Sequence, residues 1–330
     1  MSTQKLASDD LPKISRCEFA QFPTPLQRFK KLEKNFNGIE LWVKRDDLIE
    51  FGYGGNKVRA LEYIAADALK KGSKTLITGA GVQSNHVRAT AAVAAYLDLN
   101  CIAIYWGSPP KEVTGNYYLT KLLGAETRFT HDTDRSSVDT MIRLVEQELM
   151  QGDAHPYSIP RGGACALGVI AHMFAAKELF EQCQSKEINV DLVALAVGSG
   201  GTIAGWVLAR ILYDHPWRIE GFTVSRPAEE LKEIVPNLVQ QAATVLNVAV
   251  NVNLEEIIIR EGYIGDGYGI PSIEGNETIK DVAIKQGVFF DPTYTGKAFA
   301  GLSDLINNGF YKDIQTAVFL HTGGEPVLFS

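Results

Sequence analysis

Four short stretches of the chain combine glycine with residue types that can bind an anion or form a covalent bond. Each follows a predicted strand or a turn, and residues in such loops often bind ligands or catalyse reactions. The stretches are Gly54-Gly-Asn-Lys57, Gly81-Val-Gln-Ser-Asn-His86, Gly198-Ser-Gly-Gly-Thr202 and His321-Thr-Gly-Gly324. Together they indicate anion binding and a reactive amine.

The stretch over residues 198–202 predicts a phosphate-binding loop. It joins a predicted buried strand to the start of a helix, where backbone N–H groups and the helix dipole converge on an anion. It is not a Walker A loop, because no Gly-Lys-Ser/Thr follows, nor a dinucleotide fingerprint, because Ile203 stands at the third glycine position. A tight turn with a threonine cap and a phosphate cup for a smaller cofactor are the remaining alternatives.

Lys57 is a candidate imine-forming amine. It follows two glycines and Asn56 and opens the predicted helix 58–70, where the positive helix N-terminus would lower its pKa. A lowered pKa suits a lysine that reacts with a carbonyl group. The alternative is an exposed surface lysine, which describes most of the 32 Lys and Arg residues.

Ser84 and Asn85 stand where a helix cap is expected, and the free N–H groups there also suit a substrate carboxylate. His86, in the same helix start, is expected to pack or hydrogen-bond rather than act as a base. Tyr268 and Tyr294 lie in glycine-containing turns. These turns are either ordinary loops or the source of a ring that stacks on a planar cofactor and a phenol that transfers a proton.

The elements that must position these residues alternate between short apolar runs and helical patterns, which predicts an α/β fold. The predicted strands are 39–43, 75–78, 101–106, 127–129, 190–197, 219–225 and 316–320. The predicted helices are 58–70, 84–97, 113–123, 136–150, 167–181, 202–213, 228–246, 272–286 and 296–307. A Gly/Pro cluster at 159–163 separates two blocks, and we expect a ligand cleft between them.

Composition excludes several classes of protein. The net charge of −7 and pI near 5.5 leave no overall basic field for nucleic acid or an anionic membrane. The four cysteines are far apart and no Cys/His cluster appears, so we expect reduced thiols and no metal site. Residues 1–13 are polar and no apolar run approaches the ~20 residues of a membrane span, which predicts a cytoplasmic protein.

In combination the motifs resemble the fold type II pyridoxal-phosphate enzymes, and among them the 1-aminocyclopropane-1-carboxylate (ACC) deaminase and D-cysteine desulfhydrase family. The resemblance covers nearly the whole chain. It is carried by the four stretches above together with Phe22-Pro-Thr-Pro-Leu26, Lys44-Arg-Asp-Asp47, Tyr268-Gly-Ile-Pro271 and residues 291–297. It implies two domains, each an open, twisted, mainly parallel sheet flanked by helices, with the cofactor in the interdomain cleft. Residues 1–52 and 162–330 would form the large cofactor-binding domain, residues 53–161 the small one, and the enzyme would be a homodimer.

The resemblance also implies roles for individual residues. Lys57 would attach pyridoxal phosphate as an imine, Asn85 would hydrogen-bond the cofactor's phenolic oxygen, and Ser84 would help to bind the substrate carboxylate. Tyr294 would lie against the pyridine ring, and Tyr268 would join Lys57, Ser84 and Tyr294 as a catalytic residue. The phosphate would be bound by Gly198, Ser199, Gly200, Gly201 and Thr202.

Thr295 and Thr322 stand where the deaminases of this family are expected to carry Glu and Leu, and they match the D-cysteine desulfhydrases. Either threonine could partner the pyridine nitrogen. A neutral hydroxyl there makes a weaker electron sink than a carboxylate, which suits elimination of a good leaving group. The resemblance therefore predicts conversion of D-cysteine to pyruvate, hydrogen sulfide and ammonia.

Three alternatives stay open at this point. They are an ACC deaminase, an L-cysteate sulfo-lyase and a catalytically silent amino-acid-binding protein of the same fold. The stretch Arg161-Gly-Gly-Ala-Cys165 departs from the bacterial desulfhydrases on the substrate side, so it leaves the side-chain preference open, and Arg161 could partner a sulfonate.

Overall fold

The computed structural model describes residues 11–330, so most of the predicted polar amino terminus, 1–13, lies outside the described residues. Its strands are β1 (Leu26–Arg28), β2 (Glu40–Arg45), β3 (Thr75–Ala80), β4 (Asn100–Tyr105), β5 (Glu126–Phe129), β6 (Pro156–Ser158), β7 (Leu192–Val197), β8 (Arg218–Thr223), β9 (Ile258–Arg260) and β10 (Thr316–His321). Its α-helices are α1 (Lys30–Glu33), α2 (Lys57–Lys70), α3 (Asn85–Tyr96), α4 (Gly115–Leu122), α5 (Ser137–Leu149), α6 (Ala166–Ser185), α7 (Gly201–Tyr213), α8 (Ala228–Val245), α9 (Ile273–Gln286) and α10 (Thr295–Asn307).

The strands form two separate sheets. The larger sheet has the order β1-β2-β10-β7-β8-β9 and is parallel except for β1, which runs antiparallel to β2. The smaller sheet has the order β5-β4-β3-β6 and is entirely parallel. This confirms the predicted α/β class. The domain boundaries that we proposed from the sequence stay a prediction.

Helices cover both faces of the larger sheet, which explains why its central strands are apolar throughout. Successive side chains of a strand point to opposite faces. Val193, Leu195 and Val197 of β7 therefore pack into a core with α6, α7 and α8, whereas Leu192 and Ala194 pack into a second core with α9 and α10. The first core also contains residues of α2, α3 and the smaller sheet, so the two sheet layers are packed together.

The predicted strands and helices are all present, with ends that differ by a few residues. The sequence analysis missed α1 and the three short strands β1, β6 and β9. Each of these has only three or four residues, too few for a hydrophobic period to show. Within residues 11–330, no helix combines the length and the apolar character needed to cross a bilayer.

A buried polar network holds the amino-terminal end of α2 in place. The Arg59 guanidinium donates to both oxygens of Asp46, at 2.8 and 2.9 Å, and to both oxygens of Glu178, at 2.9 and 3.0 Å. Thr24 bonds to the same two carboxylates, and Lys44 donates to Glu178 and to the Thr24 carbonyl. The network joins the amino-terminal segment, β2, α2 and α6, and it fixes α2 two residues beyond Lys57.

We predict that Arg59→Met lowers the free energy of unfolding by about 3–5 kcal/mol, because it leaves the buried Asp46 without its cation and leaves Glu178 with Lys44 alone. Lys71→Ala removes an exposed pair between Asp67 of α2 and the residue that follows the helix, and it should cost about 0.5 kcal/mol or less. Urea unfolding of the parent and the two variants measures both values. Equal effects of the two substitutions would show that the network does not stabilise the fold.

Candidate active site

The candidate site lies in a cleft between the two sheets. The carboxyl ends of parallel strands meet at one edge of a sheet, and ligands bind there where the strand order reverses. In the larger sheet this edge carries the loops after β7, β8 and β10, and in the smaller sheet the loops after β3, β4 and β6. The two edges together line the cleft.

The cleft encloses about 860 Å³ of empty space, part of it at the open mouth. Most residues predicted for the site line it: Lys57, Ser84, Asn85, Gly198, Ser199, Gly200, Thr202, Tyr268, Tyr294 and Thr322. Gly201 does not line the cleft, since it begins α7 and packs against Ala164. Thr295 is also absent from the lining. Among the described residues, no aspartate or glutamate lines the cleft.

Lys57 is the first residue of α2 and reaches into the cleft, where its Nζ donates to the carbonyl oxygen of Gly162 at 3.0 Å. The surrounding protein excludes water from the amine and lowers its pKa to about 8. The direction agrees with the sequence prediction, but the cause is burial rather than the helix dipole. A nucleophilic amine is therefore available near neutral pH.

Glycines allow the turn before Lys57 to approach the strand that ends at His321. A side chain at Gly55, whose φ is +93°, would place its Cβ 2.9 Å from the Thr322 carbonyl oxygen. The Asn56 backbone N–H donates to this oxygen at 3.1 Å, and the Asn56 side chain donates to Thr202 Oγ1 at 3.1 Å. Asn56 thus ties Lys57 to two predicted cofactor contacts at once.

The loop over residues 198–202 has the shape predicted for a phosphate cup. It connects the buried strand β7 to α7, and Gly200 adopts φ +89° at the helix start. The helix N-terminus supplies N–H donors and a favourable dipole for an anion. Tyr294 closes one side, since a Cβ at Gly198 would lie 3.2 Å from Tyr294 Cε1.

Asn116 determines which end of the Asn85 amide faces the cleft. Its side-chain nitrogen donates to Asn85 Oδ1 at 2.8 Å, and its oxygen accepts from Arg88 Nε at 2.7 Å. With its oxygen occupied, Asn85 presents its amide nitrogen, a donor, as the phenolic oxygen of pyridoxal phosphate requires. Arg88 also donates to the carbonyls of Gly52 and Gly54, so it links this amide to the turn before Lys57.

The start of α3 is the place where the sequence predicts a receptor for the substrate carboxylate. Ser84 caps the helix by accepting a hydrogen bond from the Val87 N–H at 3.3 Å, as predicted. His86 is buried, and within the described residues neither of its ring nitrogens has a hydrogen-bond partner. Burial lowers its pKa to about 3, with the Lys57 charge as a second cause, so the imidazole is neutral. A pKa this low makes His86 a weak base, which agrees with its prediction as a packing residue rather than a base.

Tyr268 and Tyr294 share a hydrogen bond of 2.5 Å between their hydroxyl groups. The Arg135 guanidinium lies 5.0 Å from the centre of the Tyr268 ring. Burial raises the pKa of Tyr294 well above its ordinary value, so both phenols keep their protons at neutral pH. The pair can hold a proton at the edge of the cleft.

The structure separates the roles of the two threonines. Thr322 follows β10 and lines the cleft, whereas Thr295 is fully buried at the start of α10. The Thr295 hydroxyl and N–H both donate to Asp291 Oδ1 at 2.8 Å, and this hydroxyl accepts from the Asp291 N–H. The structure therefore does not bring Thr295 to the lining of the cleft, because its hydroxyl is used within the fold.

Five of the polar or aromatic lining residues were not predicted as part of the site: Asn56, Trp106, Arg135, Ser225 and Arg226. Trp106 ends a predicted strand, and Ser225 and Arg226 stand at the end of another, so their positions at the carboxyl ends of strands could have indicated them. Arg135 lies in the loop between β5 and α5, where no local pattern marks it. In the stretch 161–165, which departs from the bacterial desulfhydrases, Arg161 and Gly162 line the cleft and Cys165 does not.

One group of possible metal ligands lies behind the cleft. In the part of the chain that the structure describes, ligand atoms of Asp47, His321 and Glu325 lie within 4.8 Å of one another. Arg45 already donates to both oxygens of Asp47 and supplies the positive charge that an ion would bring. The expectation of no metal stays a prediction.

The residues of the cleft fit pyridoxal phosphate. Lys57, the Asn85 donor, the cup at 198–202 and the Thr322 hydroxyl surround one space, and Tyr294 borders it. Residues 18–323 match the family of pyridoxal-phosphate dependent enzymes, and the chain belongs to that family. This confirms the predicted family, its fold type II architecture and its cofactor.

Two solved structures are similar to this chain. An ACC deaminase homologue matches with a TM-score of 0.89 and 35% sequence identity, over 96% of this chain and 94% of that one. A hydrogen sulfide-producing enzyme from Fusobacterium nucleatum matches with a TM-score of 0.63 and 16% identity, over 92% of this chain and 94% of that one. The second likeness concerns the fold alone.

We predict that covalent attachment of pyridoxal phosphate to the apoprotein becomes faster as the pH rises through about 8 and then levels off. The neutral amine is the nucleophile, and Lys57 loses its proton near pH 8. Stopped-flow absorbance over a pH series measures the rate. A rate that keeps rising beyond pH 10, as for an ordinary lysine, would contradict the burial of this amine.

We predict that Gly200→Val weakens cofactor binding by about tenfold or more, because a β-branched residue at φ +89° distorts the cup. Gly309→Val is the control: its φ is +71° and nothing lies within 4 Å of an added Cβ, so it brings similar strain far from the cup. Cofactor titration and urea unfolding of both variants separate affinity from stability. Unchanged affinity in a folded Gly200→Val protein would place the phosphate elsewhere.

Proposed function

We propose that this enzyme catalyses β-elimination of D-cysteine, which with the uptake of one water yields pyruvate, hydrogen sulfide and ammonia. The observation that carries the proposal is the absence of any carboxylate from the lining of the cleft within the described residues, while the Thr322 hydroxyl is present there. A carboxylate beside the pyridine nitrogen would stabilise its protonated form, and a hydroxyl does so less. The resulting moderate electron sink suits expulsion of a thiolate.

Different side chains of the cleft bind the substrate, move its proton and exclude water. Ser84 and the N–H groups at the start of α3 bind the substrate carboxylate. The Lys57 amine, with a pKa of about 8, removes the proton from the substrate α-carbon. Bound pyridoxal phosphate supplies the electron sink for the resulting negative charge. Tyr268 and Tyr294 hold a proton beside the reacting atoms and exclude water from one side of the cleft.

ACC deamination is the second candidate, and the 35% identity to an ACC deaminase homologue favours it. Opening the cyclopropane ring cannot begin with removal of an α-proton, because the ring carbon carries none. A stronger electron sink is therefore needed, and the cleft lining offers no carboxylate to create it. A cytoplasmic location and a homodimer stay part of the proposal.

Parallel assays of 2-oxoacid release from D-cysteine, L-cysteine, L-cysteate and ACC test the proposal. We expect D-cysteine to have the highest kcat/KM. Thr322→Val should lower kcat for D-cysteine by about tenfold, the loss of roughly one hydrogen bond, whereas Thr322→Ser should retain most of it. If ACC is turned over faster than D-cysteine by the parent enzyme, the deaminase function replaces the one proposed.

A further inference from the structure

Lys297 carries a buried ammonium group that has no role in the proposed reaction. It belongs to α10, is fully buried and does not line the cleft. Its Nζ donates to the backbone carbonyls of Ile264, at 2.6 Å, and Gly267, at 3.0 Å, and forms no ion pair among the described residues. Burial lowers its pKa, and the more distant charges of Asp291 and Asp266 act in the opposite direction. A buried ammonium group is costly unless its donors are used, so its two partners indicate its role.

Both carbonyls belong to the loop that carries Tyr268. This loop, residues 261–272, is an irregular segment between β9 and α9. Its glycines at 262, 265, 267 and 269 all have positive φ, so its backbone follows a path without a regular ladder of hydrogen bonds. Carbonyl groups that face the protein interior then need donors from elsewhere. Lys297 supplies two of them, and within the described part of the chain no other side chain donates to the backbone of residues 264–269.

A row of residues on one face of α10 holds this loop. Spacings of three, four and three residues place them on the same side of the helix: Tyr294, Lys297, Gly301 and Asp304. Asp304 accepts a hydrogen bond from the Tyr263 hydroxyl at 2.8 Å, and Gly301 leaves room for the Tyr263 ring, since an added Cβ would lie 2.7 Å from it. At the other end of the row, the Tyr294 hydroxyl meets that of Tyr268. One helix face thus fixes the start of the loop, its middle and the phenol that it carries.

The remaining contacts of Tyr268 orient its ring but do not hold its backbone. The Trp106 ring lies edge-on to it, with 6.0 Å between the ring centres, and the Arg135 guanidinium lies 5.0 Å from its centre. Both come from the side of the smaller sheet. The Tyr268 hydroxyl moves with the backbone of its loop, and a displacement of about 1 Å at a reacting group can lower a rate about a hundredfold. The position of the phenol therefore depends on the bonds that Lys297 makes.

We propose that Lys297 is a positioning residue for the reaction: its ammonium group fixes the loop over residues 264–268 on α10, so that the Tyr268 phenol stays paired with Tyr294 at the edge of the cleft. The inference rests on the proposed function, in which this pair holds a proton beside the reacting atoms. Lys297 itself touches neither substrate nor cofactor. Its loss should therefore slow the chemical step and leave the binding of both nearly unchanged.

A double-mutant cycle tests the proposal, with the amino acid that the parent enzyme turns over fastest as substrate. Lys297→Met should lower kcat by about tenfold or more, while KM and cofactor affinity change less than about twofold. In a Tyr268→Phe background the same substitution should change kcat by less than about twofold, because the hydroxyl through which it acts is gone. Lys297→Gln keeps an amide donor and should retain part of kcat. An unchanged kcat in Lys297→Met, or equal losses in both backgrounds, would overturn the proposal.

Hydrogen exchange of the holoenzyme tests the same contact without turnover. Lys297→Met should speed amide exchange in residues 262–272 by about tenfold or more and leave exchange in β7 and α7 at the parent rate. Lys297→Gln should show the same selective effect in smaller measure, and this variant decides the test if Lys297→Met does not fold. Unchanged exchange in the loop of a folded variant, or equal acceleration throughout the protein, would overturn the proposal.

Lys285→Met is the matched control. Lys285 lies in the last turn of α9, at the end opposite the loop, and pairs with Asp281 of the same helix. This variant should keep the parent's kcat and its exchange in residues 262–272. Failure of the parent to release a 2-oxoacid from D-cysteine would refute the proposed function, whereas the exchange measurement would still show whether Lys297 holds the loop.

Discussion

The burial of one amine between two parallel sheets is the constraint on which the rest of the site depends. Lys57 lies at the start of α2, where the loops after β7 and β10 of one sheet face those after β3 and β6 of the other. An ammonium group in this position is costly because little water reaches it, and its pKa falls to about 8. The same burial that destabilises the charge makes the amine reactive.

Several contacts keep that amine in place, and they converge from different directions. Arg59 fixes the first turn of α2 through Asp46 and Glu178, neither of which lines the cleft. Asn56, the residue before Lys57, donates hydrogen bonds to Thr202 of the phosphate cup and to the Thr322 carbonyl just after β10. Arg88 holds the turn before it and, through Asn116, the amide of Asn85. Groups that would bind opposite sides of one planar cofactor are thus positioned by a shared set of hydrogen bonds.

Much of this arrangement could be predicted from the sequence because parallel strands bury long apolar runs and their loops carry glycine. The strand before Gly198 and the glycines before Lys57 have such local patterns. The roles of Thr295 and Thr322 could not be separated in this way. Each stands in a glycine-containing turn that could face a ligand. Only the structure shows that the Thr295 hydroxyl donates a hydrogen bond to Asp291. Arg135 and Arg226 follow strands of different sheets, and they line the same cleft only because the two sheets pack together, which leaves no trace in local sequence.

The electrostatics of the cleft follow from the same geometry. Its described lining carries arginine and lysine but no carboxylate, so negative charge enters with the ligands. The phosphate cup, the helix start at Ser84 and the arginines that line the cleft each offer donors to an anion. In the proposed function, the substrate is oriented by the positions of its charges, and the uncharged Thr322 hydroxyl would leave the cofactor ring a moderate electron sink.

Borohydride reduction of the holoenzyme, followed by proteolysis and mass spectrometry, tests most directly that Lys57 is the centre of this site. Reduction makes the bond between cofactor and lysine permanent, so the modified peptide identifies the amine. The account predicts a single phosphopyridoxyl group on Lys57. A group on another buried lysine, such as Lys44 or Lys297, or no modified lysine at all, would contradict it.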